Sequence, residues 1–138
     1  GALRLISNPN SQYQAQAVQS ELAGHLASGS RGLDVGFYGS SAGVSTYLAI
    51  VFPAQTWPGS GVAGLRKAIT ALGSQLAGSQ PTTRVRPGGQ VTCQATVGNF
   101  TGYVCLVAAG SRSAIGLVDR KVGLSGALSY SELLASHI

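Results

Sequence analysis

Two cysteines placed symmetrically about a turn constrain this chain more than any other feature. Cys93 and Cys105 each stand six residues from Asn99. The segment holding them reads Arg86-Pro87-Gly88-Gly89-Gln90, then a strand to Val97, a turn at Gly98-Asn99-Phe100, a strand from Gly102 to Ala109, and a third from Ser113 to Asp119. A hairpin turning at Asn99 sets the cysteines opposite each other. Opposed residues of an antiparallel pair have Cα atoms about 4.5–5.5 Å apart, and a disulfide needs about 4.4–6.8 Å. The spacing therefore predicts a Cys93–Cys105 disulfide. The competing reading is two free core cysteines, since free Cys is among the most buried residue types. No metal site is expected, because neither cysteine has a nearby His and zinc wants about four ligands. A structural disulfide points to an oxidising compartment.

At 138 residues the chain suits one domain, residues 1–138, large enough to bury a core. Apolar residues make up 44% and charged residues only 9%, against roughly 25% charged in an average chain. Ser, Thr, Gln and Gly must cover the surface, as suits an exported protein. The longest apolar run, Tyr47 to Phe52, has the length of a strand, far short of the roughly 18 residues of a membrane span. Membrane attachment is expected only through a segment upstream of Gly1. The chain contains no Met, which suggests that it begins inside a longer or processed protein. The net charge is +5, but the basic residues are dispersed, grouping only at Arg66-Lys67, Arg84/Arg86 and Arg120-Lys121. No basic-aromatic stripe of the nucleic-acid kind is present. Weak attraction to an anionic envelope polymer or lipid surface is the milder reading of the charge.

The order of elements follows from periodicity. Ala2 to Ile6 reads as a short edge strand. Asn10 or Ser11 caps a helix whose Ala15, Val18, Leu22 and Leu26 share a face, and Ser28-Gly29-Ser30 ends it. Leu33 to Tyr38 alternates, and Val44 to Phe52 is rich in β-branched and aromatic residues; both are strands. Tyr47 and Val51, opposite Leu48 and Ile50, mark the second as a central strand covered on both sides. Trp57, in the connector from Pro53, caps one end of the core or is exposed to stack on a sugar or partner. A second helix is predicted from Gly61 to Leu76, with Val62, Leu65, Ala68, Ile69, Leu72 and Leu76 in a stripe. After the three-stranded stretch, Ser125 or Ser129 caps a last helix with Glu132 in its first half and Leu128, Leu134, Ala135 and Ile138 on its apolar side. The fold expected is α+β in the order β-α-β-β-α-β-β-β-α, an antiparallel sheet of about five strands with three helices.

Two motifs suggest chemistry. Gly39-Ser40-Ser41-Ala42-Gly43 matches G-x-S-x-G, and Asp119 and His137 follow in the order a serine hydrolase needs. That motif works where a strand turns sharply into a helix, whereas a strand follows here. Gly59-Ser60-Gly61-Val62-Ala63-Gly64 matches G-x-G-x-x-G and opens a helix. The dinucleotide fingerprint also needs a strand immediately before it and an acidic residue about 20 positions on. No Asp or Glu occurs between Val35 and Val118. A small anion at this helix start, with Arg66 and Lys67 nearby, is the physical remainder of the motif. Four carboxylates in the chain leave little for acid–base pairs. Asp34 and Asp119 lie near strand ends, where solvent is the default neighbour.

The run Arg84 to Cys93 with its Pro87-Gly88-Gly89, then Gly102-Tyr103-Val104-Cys105-Leu106-Val107, then Ser113-Ala114-Ile115-Gly116-Leu117-Val118, resembles extracytoplasmic domains of actinobacterial membrane-anchored or secreted proteins. The chain departs from that pattern after the second cysteine, where such domains often carry Trp-Ala-Asp and this one has Leu106-Val107-Ala108-Ala109. The resemblance implies a disulfide and a location outside the membrane of a high-GC Gram-positive bacterium, and brings no activity with it. The function expected is a non-catalytic extracytoplasmic domain that interacts with an envelope component or protein partner. No cofactor, nucleic acid or catalytic residue is assigned. The candidate binding residues are Trp57, Gly59, Gly61, Arg66 and Lys67. The alternatives are a serine hydrolase using Ser41 and anion binding at Gly59 to Gly64.

Overall fold

The computed structural model describes residues 4–6, 34–39, 45–52, 61–77, 80–86, 89–98, 100–110 and 112–136. The strands are β1 (Arg4–Ile6), β2 (Asp34–Gly39), β3 (Ser45–Phe52), β4 (Ser74–Leu76), β5 (Thr82–Arg86), β6 (Gly89–Gly98), β7 (Gly102–Ala109) and β8 (Arg112–Asp119). Helix α1 (Gly61–Ala71) lies between β3 and β4; helix α2 (Gly123–Ala135) follows β8 after a short 3-10 turn, Arg120–Val122. The expected first helix, between Asn10 and Ser28, lies outside the described residues.

All pairings are antiparallel, in the order β1-β2-β3-β8-β7-β6, and both β4 and β5 pair with the outer side of β6. β3 is central, between β2 and β8, as its sequence implies. Its alternation serves two cores. Leu48 and Ile50 join Val104, Leu106, Ile115 and Leu117 beneath Leu65, Ala68 and Ile69 of α1 and Leu72 just past its end. Ala49 joins Val91, Cys93, Cys105, Val107, Ala114 and Val118 beneath Ala127 and Leu128 of α2. The two described helices therefore cover opposite faces of one sheet, which is why β7 and β8 read as nearly unbroken apolar runs.

Among the described residues the sheet has eight strands, where about five were expected and the expected element order held six. β4 and β5 are the additions, three and five residues long, and they lie end to end along a single side of β6. β4 also shortens the second helix, which stops at Ala71 and does not reach Leu76. Gly73 causes the stop. It takes φ +72°, a left-handed conformation that glycine adopts without the Cβ penalty. Its N–H bonds the Thr70 carbonyl at 3.0 Å, while Leu72 N–H still bonds Ala68 at 3.1 Å. The chain then leaves the helix as β4, and Leu76, expected in the apolar stripe, is 45% exposed.

The last helix also begins differently from expectation. It starts at Gly123, with Val122 at the cap position and no side-chain cap bond, so neither Ser125 nor Ser129 caps it. Asp119 caps the preceding turn instead, its Oδ1 accepting from Lys121 N–H at 2.8 Å. Glu132 consequently falls near the helix end rather than in its first half.

The β6–β7 turn is tied down by side chains. Ser74 Oγ accepts from Phe100 N–H at 2.9 Å, and Thr96 Oγ1 donates to the Phe100 carbonyl at 3.1 Å. The Phe100 ring packs against the α1 core. Gly102, which starts β7, has φ +155°; a Cβ there would run into the Val118 carbonyl oxygen and approach the Phe100 ring to 3.1 Å. Backbone on a neighbouring strand cannot swing aside as a side chain can. Gly102→Ala is therefore expected to cost about 1–3 kcal/mol, measured by urea denaturation. A loss below about 0.5 kcal/mol, the range of a neutral surface change, would contradict this close approach.

Candidate functional site

The disulfide forms as the spacing predicts. Cys93 and Cys105 are register partners with Cα atoms 4.1 Å apart and an S–S bond of 2.07 Å. Both residues are fully buried beneath α2. Cys105 Sγ lies 3.9 Å from the Ala127 carbonyl oxygen. An oxidised sulfur has no proton to donate, so this is a packing contact that seats the helix on the staple. Closed in this way, the pair serves structure and offers no thiol chemistry.

Of the residues of the proposed anion site, Gly61, Arg66 and Lys67 are described. Gly61 opens α1 at φ +58°, and a Cβ there would lie 3.8 Å from Gln90 Nε2. Arg66 and Lys67 are exposed, five and six residues further on, about 7–9 Å along the axis at ~1.5 Å per residue. They stand off the buried stripe, on the second turn of the helix. Trp57 and Gly59 lie outside the described residues. So do Ser41 and His137. Gly39 and Ser45, which bracket Ser41 in the chain, are at the end of the sheet where Tyr47 pairs with Val118, beside Asp119. Helix α2 runs away from that end and finishes where Ala135 approaches Gly89. Thirteen residues of helix carry the chain about 20 Å at ~1.5 Å each. Asp119, the acid that follows Ser41 in the hydrolase reading, is exposed and engaged as a turn cap.

The feature that sequence reasoning missed is β5. Thr82, Thr83, Arg84, Val85 and Arg86 pair in turn with Cys93, Thr92, Val91, Gln90 and Gly89. The β-branched Thr82, Thr83 and Val85, bounded by Pro81 and by Pro87-Gly88, were the available signal. The two faces of this strand differ. On the α2 side, Arg84 Nη1 donates to Glu132 Oε1 at 2.9 Å. On the α1 side, the Thr83 and Thr92 hydroxyls hydrogen-bond at 3.1 Å, and Val85 is 74% exposed. Val62, in the first turn of α1 next to Gly61, is also exposed at 36%. Among the described residues, no strand pairs with the outer side of β5. That side thus presents backbone hydrogen-bonding groups, one large apolar side chain and an oriented guanidinium. Compared with known proteins, the chain matches no family model, no curated protein and no solved structure.

Proposed function

We propose that this is a non-catalytic extracytoplasmic interaction domain that binds an envelope component or protein partner along the outer edge of β5. One observation carries the reading. Helices cover both faces of the sheet, yet an edge strand next to the disulfide hairpin is left with Val85 at 74% exposure and backbone groups that no described strand pairs. Such an edge is a template for another chain. The extracytoplasmic part of the reading is supported by the disulfide, which persists in oxidising compartments. The +5 charge favours approach to anionic surroundings.

The test is site-specific photo-crosslinking of the oxidised protein in its native setting. A photoreactive residue at Val85 is expected to give discrete adducts at several times the yield of one at Thr70, which is exposed on α1. Equal yields at the two positions, or none at Val85, would reject the edge as the binding surface.

A further inference from the structure

We infer that the ligand of the β5 edge is an extended peptide segment with the pattern acidic–apolar–acidic, which joins the sheet as an added strand. The inference rests on the edge reading above and names the partner's chemistry. In strand addition the backbone supplies affinity and alternate side chains supply specificity. Along β5 the alternation is charged, apolar, charged. Arg84 pairs opposite Val91, Val85 opposite Gln90, and Arg86 opposite Gly89. Arg84 and Arg86 therefore hold register positions of one parity and Val85 holds the position between them.

A strand laid against this edge would set its own residues opposite these three. Opposite-charge cross-strand pairs are favourable and like charges directly opposite are unfavourable. Carboxylates thus belong opposite Arg84 and Arg86, and an apolar, preferably β-branched, residue belongs opposite Val85. Glu132 holds the Arg84 side chain through a single nitrogen, Nη1, at 2.9 Å, and that side chain is still 40% exposed. A guanidinium carries five N–H donors, so Glu132 orients the group while other donors remain for a partner carboxylate.

The same pattern disfavours a second copy of this chain as the occupant in the registers that use Arg84, Val85 and Arg86. Antiparallel self-pairing centred on Val85 places Arg84 of one copy opposite Arg86 of the other, twice. Centred on Arg84, it places the two Arg84 residues against each other. Both registers oppose guanidinium groups. Charges on an edge strand are a known device against self-association, and here they also select the sign of a foreign strand.

The experiment titrates the oxidised chain with two labelled peptides, Thr-Thr-Glu-Val-Glu-Thr and Thr-Thr-Lys-Val-Lys-Thr, by fluorescence anisotropy at low salt, with amide chemical shifts recorded in parallel. The Glu peptide is expected to bind about tenfold or more tighter, the size of exchanging two attractive cross-strand pairs for two repulsive ones. Its shifts should fall on Thr82 to Arg86. Arg86→Glu, which retains both Arg84 and Glu132, should reduce the preference severalfold, and Val85→Asp should weaken both peptides. Equal binding of the two peptides, or shifts confined to α1, would overturn the inference. So would binding to anionic phosphatidylglycerol vesicles with no binding of the Glu peptide. If crosslinks still form at Val85 in that case, the edge reading stands and only the peptide chemistry falls.

Discussion

Replacing Cys93 and Cys105 together by alanine is expected to lower the stability of the oxidised protein by about 3 kcal/mol. The bridge spans a sequence separation of 12, and closing a loop of that size removes about this much chain entropy from the unfolded state in the entropic model. A second contribution acts in the folded state. Both cysteines are fully buried between the sheet and α2, so the truncated pair leaves less apolar volume under Ala127 and Leu128. A single domain of this size has about 5–15 kcal/mol in total, so the loss is a large share of it. Urea denaturation of the oxidised and variant proteins measures it. The m value should rise in the variant, because its unfolded chain exposes more surface without the cross-link. A loss below about 1 kcal/mol would show that the unfolded chain already keeps the Cys93–Cys105 hairpin closed. The seat beneath α2 has a kinetic counterpart: reductant should leave the native protein oxidised until α2 undocks.

The hairpin was legible in the sequence because every signal in it agreed. Symmetry about Asn99, β-branched residues on both sides and a glycine at each end of the turn all indicate one register, and the structure has that register. β3 was legible for the same reason, since its two alternating sets were both apolar. The errors share a cause. α1 was extended to Leu76 because Leu72 and Leu76 continue a helical period, while a single backbone angle at Gly73 decides otherwise. A period is a sum over many residues, and one left-handed glycine weighs little in it. β4 and β5 were missed because strands of three and five residues carry too few side chains to establish an alternation. Their existence depends on the long side of β6, a tertiary fact. The candidate site suffered most from this. Trp57, Gly61, Arg66 and Lys67 drew attention as residue types, whereas β5 is marked by position, as an edge. Glu132 was placed in the wrong half of its helix, so its pairing with Arg84, 48 positions away, could not be foreseen.

The largest loss from one substitution is expected at Leu65. Its side chain, 1% exposed, fills the contact between α1 and the face formed by Leu48, Ile50, Val104, Leu106, Ile115 and Leu117. Leu65→Ala removes buried methyl groups and leaves a cavity, for about 2–5 kcal/mol. Val62 lies three residues earlier in the same helix but is 36% exposed. Val62→Ala should stay within about 0.5 kcal/mol. The contrast separates burial from helix propensity, because alanine is the better helix former in both cases. Comparable losses at Val62 and Leu65 would mean that α1 sits rotated from the orientation described here. Leu128→Ala, on α2 across the sheet, extends the argument. Layers packed on a sheet stand about 10 Å from it, and substitutions more than about 7–10 Å apart usually add within ~0.5 kcal/mol. Leu65→Ala and Leu128→Ala should therefore be additive. Their effects on the β5 edge should differ, however. Arg84 is anchored to α2 through Glu132 and not to α1, so loosening α2 disturbs the guanidinium while loosening α1 does not. At temperatures where both variants are folded, peptide binding at β5 should fall in Leu128→Ala and hold in Leu65→Ala.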